Sequence, residues 1–369
     1  MEHEITQKGP LLDAKGVLRE KGFAKSLILD YDRSAIKARA SRIKEWDYYC
    51  VLSGDTVLAL TIDDNSYMGL LSASVLDLAA RDEVTESVMT AFPWGKTNLP
   101  PSSVSGVTEA SYKGCSMRFE AKDGVRTIRA SWPDFGAASK GKAERLFGKP
   151  GKAAQGSASG AVGLEVELTL TEKAPRESMV IVTPFARAKR AFYYNQKINC
   201  QNAEGRARVG ARELVFKPGA SFGVLDWGRG VWTWSNTWIW GSSSGLARVE
   251  GERAERSFGF NIGYGFGDTS ASSENMVFLD GVAHKIGKLT VDLDDRDFYK
   301  PWHAKSEDGR FDLILTPTLD RAAATDALVL ASIQHQVFGT WSGSVTLEDG
   351  RKIKVENLLG FCEKVKNRW

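Results

Sequence analysis

The stretch VWTWSNTWIW, residues 231–240, holds four of the chain's eleven tryptophans, Trp232, Trp234, Trp238 and Trp240. All four occupy even positions. Residues two apart in a β-strand point to one face. An unbroken strand here therefore carries its indoles on one side and Val231, Thr233 and Ile239 on the other. A bend at Ser235-Asn-Thr237 would instead leave two Trp-x-Trp pairs. Either way the segment reads as strand, and one face of it is aromatic.

Strand patterns extend outward from this stretch in both directions. Leu164-Glu-Val-Glu-Leu-Thr-Leu170 alternates apolar and polar residues, as a half-buried strand does. Phe258, Phe260, Ile262 and Tyr264 alternate in the same way, as do Leu289, Val291 and Leu293, and Phe311, Leu313 and Leu315. Asp-Gly pairs punctuate these runs at Asp123-Gly124, Asp280-Gly281, Asp308-Gly309 and Asp349-Gly350. Such pairs supply the positive φ that tight hairpins need. Many short strands joined by tight turns predict an all-β, antiparallel barrel or sandwich. Helix signals are few. The Ala-rich run 320–336 predicts one helix, and 74–82 is ambiguous between strand and helix.

At 369 residues the chain is too long for one small core, so two domains or one doubled domain are expected. A faint internal echo supports doubling. Trp46-Asp-Tyr-Tyr49, a turn at Ser53-Gly-Asp55 and an apolar strand find a counterpart in Trp238-Ile-Trp240, Gly241-Ser-Ser-Ser-Gly245 and a second long strand. The expected division is an N-terminal barrel over 1–200 and a C-terminal barrel over 201–369 that carries the Trp-rich strand. Residues 134–163 are rich in Gly, Ala, Ser and Lys and read as a flexible loop of the first barrel.

Net charge is only +3, with the signs well mixed, which does not suggest a nucleic-acid or anionic-membrane partner. The start MEHEITQKGP is not read as a signal peptide. No apolar run is long enough for a transmembrane segment. Cys50, Cys115, Cys200 and Cys362 lie far apart and read as free thiols of a reducing cytoplasm. The four histidines, His3, His284, His303 and His335, form no ligand pair, so neither a metal nor any other cofactor is expected. Their scarcity also argues against a Ser-His-Asp hydrolase. The two G-x-S-x-G matches, at Gly219 and Gly241, are each followed by strand-like sequence and are read as chance.

Several multi-residue motifs occur in a recognisable order. They are Lys44-Glu-Trp-Asp-Tyr48, Tyr194-Asn-Gln-Lys197, Asp226-Trp-Gly-Arg-Gly230, Trp238-Ile-Trp240 and Glu274-Asn275. Gln336-Val-Phe-Gly339, Ser342-Gly343, Gly360-Phe-Cys-Glu363 and Trp369 follow. On these motifs the chain resembles the bacterial family called domain of unknown function 2804. More distantly it is similar to the lipocalin-like carotenoid hydratases (hydroxyneurosporene synthases) and tocopherol cyclases. In those enzymes an acidic residue near a Trp-Gly pair precedes a Trp-x-Trp strand. Asp226-Trp227-Gly228 and Trp238-Ile239-Trp240 are the counterparts here, although Asp226 abuts Trp227 without a spacer. The resemblance implies two lipocalin-like antiparallel β-barrels side by side.

The candidate site follows from both lines. Trp227, Trp232, Trp234, Trp238 and Trp240 would line an aromatic cavity in the C-terminal barrel that holds a hydrophobic small molecule, a lipid or isoprenoid. An unpaired carboxylate there would be costly, so Asp226 is expected to pair with Arg229 across a bend at Gly228 and Gly230, or to keep its proton. A cofactor-free hydratase, isomerase or cyclase is the enzymatic alternative. Asp226 would be its acid, with Glu274 and then Glu45 as runners-up. The indole faces would steady a carbocation, and Tyr194 and Lys197 would orient a polar head. The third reading is a structural protein whose indoles only pack a core. Sequence alone decides neither catalysis nor oligomeric state.

Overall fold

The computed structural model describes residues 2–149, 161–327 and 330–368. The regular structure among the described residues is almost all β, and its two large sheets form one nearly closed barrel and one half-barrel. Two compact units result, but they are not the two halves of the sequence. One comprises residues 1–38, 173–200 and 228–369; the other comprises 39–172 and 201–227. The chain passes between units at 38/39, 172/173, 200/201 and 227/228, so the expected boundary near residue 200 is one crossing of four. Two of these crossings fall inside long strands, Ala188–Val209 and Ser221–Val231. A strand that serves both units leaves no linker in the sequence for composition to reveal.

In the 39–172/201–227 unit, Ile43–Ser53, Thr56–Asp64, Met68–Asp77 and Asp82–Ala91 form an antiparallel meander. Gly106–Tyr112, Cys115–Lys122, Val125–Trp132 and Leu164–Thr171 form another. Asp123 and Gly124 take φ of 53° and 78°, the left-handed pair that a two-residue hairpin turn requires. Residues 74–77 are strand. Within the segment read as a flexible loop, Lys140–Phe147 is a helix that buries Ala143 and Phe147. Residues 150–160 of that segment lie outside the described residues.

The other unit is built on a nine-stranded antiparallel sheet. Its central strands are Glu255–Tyr264, Ser235–Val249, Lys352–Arg368, Leu330–Thr346 and Phe311–Ala327. Among the described residues the expected helix over 320–336 is absent. Residues 320–327 and 330–336 lie in two long strands that pair from Phe311↔Val345 onward. Alanine favours helix only weakly, and a continuous ladder to neighbouring strands overrides that preference.

The interior of this sheet is lined by large buried apolar side chains. Phe258, Phe260, Ile262, Phe311, Leu313, Leu315, Val337 and Trp341 belong to one buried apolar cluster. The ring of Phe260 meets those of Phe311 and Trp341 edge-on at 5.2 and 5.3 Å. Gly241 and Gly245, from one of the G-x-S-x-G matches, face inward in mid-strand. A Cβ at Gly245 would come within 2.6 Å of Leu358, so bulk from neighbouring strands fills the space these glycines leave.

Candidate functional site

The tryptophan segment is not one strand. Ser221–Val231 ends, Trp232-Thr233-Trp234 turns, and Ser235–Val249 begins. The four indoles therefore do not share one face. Trp232 and Trp240 are buried, Trp238 is half-buried, and Trp234 is 44% exposed.

Strand alternation then decides where Trp238 and Trp240 point. Ile239 joins the interior cluster, so its two neighbours lie on the opposite face of the sheet. The indoles of Trp238 and Trp240 thus line the outer face, not the inside of the nine-stranded sheet, which the apolar cluster occupies. Trp240 sits beside Gly263 and Glu363 in the register, and Glu363 beside Gln336.

The strand Ala188–Val209 brings a second surface to this outer face through its residues up to Cys200. Tyr193, Lys197 and Asn199 share one side of it. Tyr193 stacks on Phe266 at 4.8 Å and meets Trp232 edge-on at 5.6 Å. Trp232 meets Trp238 at 5.6 Å and Phe185 at 6.0 Å, and Trp238 meets Phe266 at 5.4 Å. Lys197 is buried, with Nζ 3.8 Å from the centre of the Trp240 ring. Asn199 Nδ2 donates to Ser242 Oγ at 2.8 Å and to the Phe260 carbonyl at 3.0 Å. Tyr194 lies on the other side of its strand and donates to the Leu29 carbonyl at 2.8 Å. Burial pushes its phenol well above the ordinary range.

Polar groups are threaded through this aromatic layer. Trp238 Nε1 donates to Glu363 Oε1 at 2.9 Å, and Gln336 Nε2 donates to Glu363 Oε2 at 3.1 Å. Trp240 Nε1 donates to Asn261 Oδ1 at 2.7 Å, and Asn261 Nδ2 donates to the Glu274 carbonyl at 2.9 Å. The Glu274 side chain is buried over Gly263, where a Cβ would lie 2.4 Å from Oε1. Only glycine leaves room for that carboxyl.

Of the residues expected from sequence, Trp232, Trp238, Trp240, Lys197 and Glu274 therefore meet in this layer. Arg229 is fully buried, and its Nη1 donates to the Gly228 carbonyl at 2.8 Å. Neither Gly228 nor Gly230 takes a positive φ, and Ser221–Val231 runs on as strand without the expected turn-like bend. Asp226, Trp227 and Glu45 are buried residues of the other unit. Sequence reading missed Glu363, Tyr193 and Phe266 as site residues. A lone carboxylate beside Phe361 and Cys362 is a signal for the first; the other two meet the indoles only through tertiary structure.

All four cysteines are buried free thiols. Among the described residues no cluster of three or more His, Cys, Asp or Glu is arranged for a metal, and no helix is long and apolar enough to cross a membrane.

The model of the family described as Domain of unknown function (DUF2804) matches residues 2–369. No curated protein matches the chain. Among solved structures it is similar to an AttH-like protein from Nitrosomonas europaea, at 9% identity and a TM-score of 0.49 over 92% of this chain and 96% of that one. It is also similar to kievitone hydratase from Nectria haematococca, at 12% identity and 0.41 over 88% of each chain. CghA is a third such structure, at 10% identity and 0.46 over 98% of this chain and 97% of that one.

Proposed function

We propose that this chain, which belongs to the DUF2804 family, binds a hydrophobic small molecule of the lipid or isoprenoid class. The binding surface is the aromatic layer formed by Trp232, Trp238, Tyr193 and Phe266. One observation carries the reading: a contiguous group of four large rings lies outside the buried apolar cluster and reaches solvent at the half-buried Trp238. Aromatic walls with a few fixed polar groups suit a largely apolar ligand with one polar end. Glu363 and Lys197 are the polar groups here. The buried free cysteines favour a reducing, cytoplasmic setting.

The test is quenching of tryptophan fluorescence by a conjugated polyene fatty acid, together with extraction of lipid from protein purified from its host. Saturable quenching that weakens about tenfold in Trp238→Ala supports the reading. Absence of both quenching and extractable lipid overturns it and leaves the indoles as packing.

A second reading, a cofactor-free hydratase, isomerase or cyclase, is favoured by Glu274. Its carboxyl is buried against the same layer, where an acid would meet a ligand seated on the rings. Asp226 is its alternative. If Glu274→Gln and Asp226→Asn both turn over an isoprenoid substrate as wild type does, the enzymatic reading fails while the binding reading stands.

A further inference from the structure

Lys285 carries a buried ammonium. Its Nζ donates to the Asn275 and Ile286 carbonyls at 2.9 and 2.8 Å and to Ser273 Oγ at 2.8 Å. Glu2 Oε2 lies 2.6 Å away, the one acid within ion-pair distance of it among the described residues. The same carboxylate accepts from Ser272 Oγ at 2.8 Å and Ser273 N at 3.1 Å through Oε2, and from Ser273 Oγ at 2.8 Å through Oε1. Ser272 and Ser273 are themselves buried. Hydroxyls, a backbone N–H and an ammonium aimed at both oxygens of one carboxylate make a complete cradle for it. Without the acid, a desolvated charge would be stranded.

Glu2 arrives on a segment that is pinned elsewhere. His3 N donates to the Ala271 carbonyl at 2.9 Å, Phe23 N to the His3 carbonyl at 3.0 Å, and Ile5 N to the Phe23 carbonyl at 2.7 Å. Ile5 is buried, whereas the Glu2 side chain is 22% exposed. The cradle thus opens to solvent on the Glu2 side, where a dissolved carboxylate can reach it once Glu2 is removed.

The cradle and the aromatic layer share one segment, 272–275. Ser272 and Ser273 belong to the cradle, and the next two residues hold the layer. Glu274 lies over Gly263, and its carbonyl accepts from Asn261 Nδ2 at 2.9 Å. Asn261 Oδ1 in turn accepts from Trp240 Nε1 at 2.7 Å. Asn275 Oδ1 accepts from Gly263 N at 2.8 Å, while its carbonyl accepts from Lys285. A short run of bonds therefore leads from the Glu2 carboxylate to the Trp240 indole. We propose that Ser272, Ser273 and Lys285 form a carboxylate site that Glu2 fills in cis, and that its occupancy fixes the 272–275 segment and so the Trp240 end of the aromatic layer. Control of ligand binding through this site rests on the reading above; the coupling to Trp240 does not.

The experiment compares wild type with Glu2→Ala in sodium chloride and in sodium formate, the smallest carboxylate. The readout is the indole N–H cross-peak of Trp240 in NMR spectra of the full chain, identified with Trp240→Phe. Glu2→Ala is expected to move or broaden that peak in chloride and to recover the wild-type position in formate, to which wild type is indifferent. Adding Lys285→Met to Glu2→Ala should abolish the recovery. An unmoved peak in Glu2→Ala, or a moved peak that formate does not restore, overturns the proposal. If Glu2→Ala folds in neither salt, Glu2→Gln, which keeps the shape without the charge, takes its place: a moved Trp240 peak supports the coupling and an unmoved one overturns it. Quenching by a conjugated polyene alcohol, whose uncharged head cannot fill the cradle, reads the ligand site. Its affinity should fall about fivefold or more in Glu2→Ala and return in formate. Equal affinity in the two proteins overturns the control of ligand binding. Absence of quenching in wild type defeats the ligand reading alone, while the Trp240 peak still decides the coupling.

Discussion

Trp238 donates its indole N–H to Glu363 at 2.9 Å across two neighbouring strands, on the face turned away from the apolar interior. A buried carboxylate is tolerated only when its oxygens are satisfied, and here Trp238 and Gln336 each serve one oxygen. The aromatic wall and the acid are thus parts of one construction. Trp238→Phe keeps most of the ring and removes the donor. It is expected to lower unfolding stability by about 1–3 kcal/mol, read from urea denaturation, while polyene quenching persists. A variant as stable as wild type would show that this hydrogen bond does not hold Glu363.

The buried Lys197 ammonium lies over the Trp240 ring at 3.8 Å. A double-mutant cycle with Lys197→Met and Trp240→Leu is expected to give a coupling of about 1–2 kcal/mol, the range of a desolvated cation–π contact. Additive single effects would assign Lys197 to its other neighbours.

Gly263 is the floor beneath Glu274. A methyl group there would lie 2.4 Å from the carboxyl oxygen and 2.9 Å from the Ile239 carbonyl. Gly263→Ala should therefore displace Glu274 and destabilise the fold by about 1–3 kcal/mol. Combining it with Glu274→Ala should recover part of that loss, because the backbone contact alone would remain. Equal losses in the single and double variants would show that the backbone clash is the whole effect.

The other unit carries a pH dependence of its own. Burial raises the Asp63 carboxyl from 3.8 to about 8, with Asp64 adding to the shift and Lys44 opposing it. Between those values the folded protein holds a proton that the unfolded chain releases, so this contribution is full below about pH 4 and is lost as pH rises through 8. Burial lowers Lys44 from 10.5 to about 7, so its penalty is full below 7 and fades as pH rises toward 10.5. Asp63→Asn cannot ionise. Its stability relative to wild type should rise steadily between about pH 4 and 8 in urea titrations. A constant difference across that range would mean that Asp63 ionises normally.

Much of the architecture was legible in local pattern. The alternation at Leu164–Thr171 and Glu255–Tyr264 and the Asp123-Gly124 turn are short-range signals, and each appears where it was expected. The Ala-rich strand was not legible, because its ladder to the neighbouring strand outweighs the helix preference of alanine, and that pairing is not a feature of composition. The order of motifs from Lys44 to Glu363 carried the family, and family membership fixes neither ligand nor chemistry.

The sequence by itself determined that this chain is β-rich, turn-punctuated and rich in indole around residue 235. Only tertiary structure decided which way those indoles look. The side of a strand that faces the core depends on what the other strands bring to it, and Phe260, Phe311 and Trp341 occupy the inside. Trp238 and Trp240 were left on the outer face, where Tyr193, Phe266 and Glu363, distant in sequence, complete the layer. No local pattern encodes that meeting, because it exists only once the strands have found their register.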